Sequence, residues 1–302
     1  MANKLLKKLP KEINGWNSLM NAQNVFRHAE KKEEWVFRGL SDGNNCLETT
    51  LERVVNEFSV PSDKIPDLEV KLILEFMRRY HLYAVEPPPR KGDTLDWLAL
   101  MRHHGAPSRL LDFTFSFLVA TYFALERPPK PKGMPTIWAI NKSWLTKEVD
   151  NIVKDHGNTI ASQFDQYKRH RDGNAFRKVF FADKPPTLVS SVSPFRLNQR
   201  QTIQQGIFLC PCNVTKTFKE NLYAINNHND NVKKITINPK ARAELLNGLL
   251  SANLSSTTLF PGLDGFAASL WTRVASLKHW QKMEDKGARS KINLDITTLR
   301  RW

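Results

Sequence analysis

Apolar positions along this 302-residue chain change rhythm repeatedly, and each change marks an element. The segment from Trp16 to Phe26 repeats at helical spacing. Trp35, Val36 and Phe37 then form a short aromatic and β-branched run, which predicts a strand closing in a turn at Gly39. Leu68, Leu72, Ile73 and Phe76 return at helical intervals, predicting an amphipathic helix over Asp67 to Tyr83 with Lys71, Arg78 and Arg79 on its other face. Pro87, Pro88 and Pro89 stop it, because proline lacks an amide hydrogen and clashes with the turn before it. Asp93 or Thr94 caps the next helix, whose Leu95, Leu98 and Met101 face inward and which ends near His104 and Gly105. After a loop through Ala106 to Arg109, the stretch Phe117 to Leu125 is apolar all round, as in a helix buried against a sheet.

Strands are predicted at Thr136 to Ile140, Thr187 to Ser191, Gln205 to Leu209 and Lys234 to Ile237, between helices near Asn158 to Arg169 and Lys240 to Leu250. A turn at Phe260 to Asp264 precedes a last packed helix with Phe266, Leu270, Val274 and Leu277 inward. This mixed order predicts an α+β fold with a mixed β-sheet core and helices at both ends of the chain packed around it. The expected organisation is an N-terminal helical segment over 1–30, a main domain over 31–275 and a basic tail over 276–302.

Composition narrows the class. A hydrophobic share of 41% and a charged share of 25% are those of a globular protein, which excludes disordered and collagen-like chains. No apolar run approaches the roughly 20 residues of a membrane span. Lys4, Lys7, Lys8 and Lys11 around Leu5, Leu6 and Leu9 read as the start of a surface helix and lack the pattern of a secretory signal. Cys46, Cys210 and Cys212 are too few and too ill-spaced for a zinc site, so the chain is expected to be metal-free, reduced and cytoplasmic.

The formal net charge is +15, with a pI near 9.8. A field of that sign attracts polyanions and suits either a nucleic acid or an acidic protein inhibitor. Lys168, Arg169, His170, Arg171, Arg177 and Lys178 form one basic cluster; the tail from Lys278 to Arg301, with Trp280 and Trp302 nearby, forms another.

The densest chemistry lies between Met101 and Ser116, where His103, His104, Arg109, Asp112, Thr114 and Ser116 stand among glycine and proline. Buried without partners, such groups cost roughly 1–3 kcal/mol each. They are therefore either paired internally or functional. In the plainer reading Arg109 and Asp112 form a salt bridge, Ser116 caps the following helix and His103 is a satisfied core residue.

Four stretches carry a resemblance. Phe37, Arg38 and Gly39, the run His103 to Ser116 on to Tyr122, Phe123 and Ala124, then Gln205, Gly206 and Phe208, and finally Phe260 to Gly265 resemble the successive signature blocks of the FRG-domain family. That family occurs mainly in bacterial and phage-related contexts, often beside defence or toxin genes. Its block order in turn resembles the ADP-ribosyltransferase fold, in which an Arg or His, a Ser/Thr pair and a Glu from three strands surround NAD. The resemblance implies that Arg38 holds a ribose hydroxyl or phosphate, with Gly39 and Arg109 beside the cofactor and Thr114 and Ser116 as the hydroxyl pair. The third position falls at Gln204 or Gln205, where this chain departs from the usual Glu. A neutral amide gives an oxocarbenium-like state no full charge, so Asp112 is the candidate carboxylate and His104 the candidate proton acceptor.

Three functions are therefore expected in order. First is an intracellular toxin of a toxin–antitoxin or anti-phage system that uses NAD to ADP-ribosylate a nucleic acid, RNA before DNA, restrained by an acidic antitoxin. Second is a metal-independent ribonuclease using His103, His104, Arg109 and Asp112. Against it, neighbouring helical side chains point about 100° apart, which would keep the two imidazoles from one phosphate. Third is a non-catalytic module that binds nucleic acid or a phage protein.

Overall fold

The computed structural model describes residues 6–29, 33–43, 47–129, 133–196 and 198–273. Cys46, Val274, Leu277 and the basic tail lie outside the described residues. Among the described residues seven strands form one mixed sheet: β1 (Glu12–Ile13), β2 (Trp35–Leu40), β3 (Leu111–Thr114), β4 (Thr136–Asn141), β5 (Val189–Val192), β6 (Gly206–Pro211) and β7 (Val232–Ile237), in the order β1-β7-β4-β2-β3-β6-β5. Every pairing is antiparallel except β1 with β7 at one edge. The fold is thus α+β with a mixed sheet and helices around it.

Helices cover both faces, which is why β2 is almost wholly apolar. Side chains of successive strand residues point to opposite faces. Trp35 and Phe37 enter one core with the helices Trp16–Ala29, Phe117–Leu125 and Arg242–Ser251, while Val36 enters the other with Thr94–His103, Lys142–Asp155 and Gly173–Phe180. Phe26 meets Trp35, Phe37 and Phe117 with ring centroids 5.3, 5.0 and 5.5 Å away. Such offset and edge contacts add about 0.5–1.5 kcal/mol per pair to the area they bury.

The central strands part. β2 pairs with β4 along all six residues but meets β3 only at Phe37 opposite Thr114. From Arg38 onward the sheet opens, and the backbone acceptors of β3 that a ladder would have used need other donors.

Gly39 is not in a turn. It continues β2 opposite Ile137, and the strand runs on to Leu40. The reason for glycine is the helix Phe117–Leu125 crossing behind it. A Cβ at Gly39 would lie 1.8 Å from the Ala120 carbonyl oxygen and 2.6 Å from the Ala124 nitrogen. Gly39→Ala must push strand and helix apart, and we expect a loss of about 1–3 kcal/mol in urea unfolding. An unchanged midpoint would show that the approach is slack.

Gly105 is a true turn residue, with φ of +79° after the helix Thr94–His103. The final helix spans Leu263–Arg273, but it is not packed through the positions the pattern selected. Phe266 and Leu270 are exposed, and so is Trp271, whereas Ser269 is buried.

Candidate active site

Where β2 and β3 part lies a cleft of about 600 Å³. That is within the range of pockets that enclose small organic ligands, roughly 300–1,000 Å³. β2 supplies Arg38 and Gly39 to its lining, β3 supplies Asp112 and Thr114, and Glu126, Arg127, Arg200, Gln204 and Phe260 come from elsewhere.

Arg38 spans the opening. Its Nη1 donates to the Asp112 carbonyl at 2.6 Å, taking an acceptor the broken ladder leaves over, and lies 3.9 Å from Asp112 Oδ2. Its Nε is buried with no hydrogen-bond partner. Burial, followed by the opposing pull of Asp112 and the repulsion of Arg102 and Arg53, brings the guanidinium pKa down to about 10. It stays cationic at neutral pH, but in a place that disfavours the charge. An anionic ligand would relieve that cost.

Asp112 is held by a residue that the sequence reading left without a role. Arg102, from the end of the helix Thr94–His103, donates Nε and Nη2 to Asp112 Oδ2 at 2.8 and 2.6 Å. The Asp112 side chain is 48% exposed, so it is oriented and yet reachable.

Thr114 lines the cleft, but its hydroxyl is engaged: it donates to the Gln204 carbonyl at 2.6 Å and accepts from the Ser116 amide at 3.0 Å. Ser116 is outside the lining and caps the helix Phe117–Leu125, its Oγ accepting from Val119 N at 3.3 Å. Of the two glutamines, Gln204 reaches the cleft. Gln205 adopts a left-handed φ of +49° just before β6, and its carbonyl accepts from the Phe115 amide at 3.0 Å.

Arg109 is elsewhere, and its partner is not Asp112. Its side chain and that of Glu69 are each 1% exposed. Arg109 donates Nε to Glu69 Oε1 at 2.8 Å, Nη2 to Glu69 Oε2, and Nη1 to the carbonyls of Phe180 and Cys212 at 2.7 and 3.2 Å. Arg109 thus ties the helix Ile65–Arg79 to the C-terminal end of the helix Gly173–Phe180 and to the residue after β6.

The histidines also differ from expectation. His103 is not a core residue but is exposed, and it borders a recess of about 230 Å³ that shares Arg102, Asp112, Arg200 and Gln204 with the cleft. Partial desolvation of the ring against the helix end, then the nearby His104 and Arg200, lowers its pKa. His104 leaves the helix as its C-cap, so the 100° argument does not hold: the two rings meet edge to face at 4.9 Å. His104 is exposed and outside the cleft lining.

Cys210 and Cys212 are fully buried. Burial raises the Cys210 thiol well above its ordinary value and the Cys212 thiol to about 12. Since the thiolate is the reactive form, a maleimide reagent should label these positions only after denaturation, and labelling of the native protein by mass spectrometry would contradict this burial.

Among the described residues no group of three His, Cys, Asp or Glu side chains could hold a metal ion, and no helix is long and apolar enough to cross a membrane. In the basic cluster, Lys168 pairs with Asp150 and Asp165, while Arg169, Arg171, Arg177 and Lys178 are exposed.

A mixed sheet whose central strands part at Arg38, with Asp112 across the gap, defines an α+β protein with a cleft lined by arginines and carboxylates. The FRG domain family model matches residues 33–133, about a third of the chain, which takes in both cleft strands β2 and β3 and supports the resemblance of their motifs. No curated protein and no solved structure matches the chain.

Proposed function

We propose that the chain is an NAD-dependent mono-ADP-ribosyltransferase acting on a nucleic acid, RNA in preference to DNA, as the toxin of a bacterial toxin–antitoxin or anti-phage system. The observation that carries this reading is Arg38: a largely buried guanidinium at a sheet opening, with an unpartnered Nε and a ligand-sized cleft before it. Such a group binds a phosphate or ribose oxygen with its remaining donors. Asp112, held by Arg102, faces the same space and is the carboxylate that can stabilise positive charge on the ribose as the bond to nicotinamide breaks. The bonding electrons leave with neutral nicotinamide, the acceptor's lone pair forms the new bond to the anomeric carbon, and the acceptor releases its proton. The ion pair with Arg102 weakens the field of Asp112, which predicts a slow transfer. The exposed cations and the +15 charge support a polyanionic acceptor and an acidic restraining protein.

Purified chain incubated with labelled NAD and RNA, DNA or protein is expected to move label to RNA. Neither label transfer nor nicotinamide release would end the proposal. The His103 and His104 contact favours one second reading, ribonuclease action, because His103 borders the recess lined by Arg102 and Arg200 and its ring meets that of His104. Strand breaks in RNA without NAD, lost on replacing either histidine, would select it instead.

A further inference from the structure

Arg38, Arg102 and Arg200 are gathered around a single carboxylate. Arg102 bonds to Asp112, Arg38 lies 3.9 Å from it, and Asp112 is the chief charge acting on Arg200. With Arg127 the lining holds four arginines against the carboxylates Asp112, Glu126 and Asp264, a net positive cleft. Glu126 lies near both Arg127 and Arg200.

Beyond Arg200 the wall becomes aromatic. The Arg200 guanidinium carbon is 4.4 Å from the centroid of Phe260, whose ring meets Phe123 edge-on at 5.9 Å. The backbone turns tightly here: a Cβ at Gly265 would fall 1.8 Å from the Phe260 carbonyl oxygen. A cationic row therefore leads into a stacking surface within one cleft.

We infer that the cleft is a nucleoside-diphosphate site, in which the pyrophosphate lies on Arg102 and Arg200 beside Arg38 and the heterocyclic base lies against Phe260. Two linked phosphoryl groups suit a cleft in which four arginines outnumber three carboxylates. Guanidinium forks fit phosphate oxygens, and a base stacks on a ring and on the arginine plane resting on it. The inference deepens the transferase reading, on which it rests for the dinucleotide nature of the ligand, but it concerns binding alone.

Isothermal titration of the full chain with ADP-ribose, AMP, adenosine and inorganic pyrophosphate tests it. ADP-ribose should bind about tenfold or more tighter than AMP, and adenosine more weakly still. Arg102→Ala and Arg200→Ala should each weaken ADP-ribose by about tenfold or more, with folding checked by circular dichroism; Arg102→Lys and Arg200→Lys, which keep the charge but lose the fork, should fall between. Phe260→Ala should weaken ADP-ribose and leave inorganic pyrophosphate unchanged. Equal binding of AMP and ADP-ribose, no binding of ADP-ribose, or arginine variants that bind like the parent would overturn the site. ADP-ribose binding in a chain that transfers no label would support the site while removing the transferase. Undiminished label transfer in the arginine variants would do the reverse.

Discussion

Arg38→Met is expected to abolish NAD binding and label transfer while leaving the protein as stable as before. The two effects have one cause. Two or more charge-assisted hydrogen bonds to a ligand, at about 1.5–3 kcal/mol each, put the loss of binding at a hundredfold or more. In the empty protein the same guanidinium is a burden, because burial disfavours its charge and its Nε has no partner. Asp112 keeps Arg102 when Arg38 is gone, so its carboxylate is not stranded, and the one bond lost, to the Asp112 carbonyl, costs about 1 kcal/mol net, which relief of the buried charge offsets. Replacing a buried ion by an apolar side chain of similar length is often neutral or stabilising. We therefore expect urea denaturation to show no loss beyond about 1 kcal/mol. A variant that binds NAD like the parent would remove Arg38 from the site, and one that unfolds would show that Arg38 is there for the fold.

Arg109→Met is expected to do the opposite. It leaves the Glu69 carboxylate buried without its partner and takes donors from the Phe180 and Cys212 carbonyls, a loss of about 3–5 kcal/mol. Against a typical total stability of about 5–15 kcal/mol, that lowers the melting temperature steeply. Adding Glu69→Met should recover part of the loss, since two apolar side chains then fill the space of the pair. Activity per folded molecule, measured at a temperature where the variant is native, should stay near that of the parent, because Arg109 is outside the cleft lining. A double variant no more stable than Arg109→Met would show that the carbonyl bonds, not the ion pair, dominate.

Arg38 and Arg109 looked alike in the sequence, each an arginine beside glycine or proline and apolar runs. They differ only in what the fold puts against them. Asp112 was legible as the nearest carboxylate to Arg109, yet it faces Arg102 and Arg38, while Arg109 finds Glu69 forty positions earlier. Arg102 stood within the dense block and Phe260 within the last one, but nothing in their spacing marked either as a cleft residue. Ser116 shows the converse: its place just before an apolar run announced a helix cap, and it is one. The strand at Trp35 and the helix Phe117–Leu125 were readable because nearly every residue in them is apolar; Trp35, Val36 and Phe37 are buried, and so is most of the helix. β1, two residues long, carries no period to read.

From the sequence alone came the α+β class, several of the helices and strands, and the stretches holding Arg38, Arg102, Asp112, Thr114 and Phe260, because periodicity, capping and proline punctuation act between near neighbours; the strand Leu111–Thr114, the helix Lys142–Asp155 and the place of Arg200 in the cleft were not read. Only the tertiary structure decided that β2 and β3 part after Phe37, that Gly39 yields to a crossing helix, and which arginine is paired for stability and which is left with an open donor. Those outcomes depend on groups far apart in the chain competing for the same carboxylates and the same space, and no local pattern records who wins.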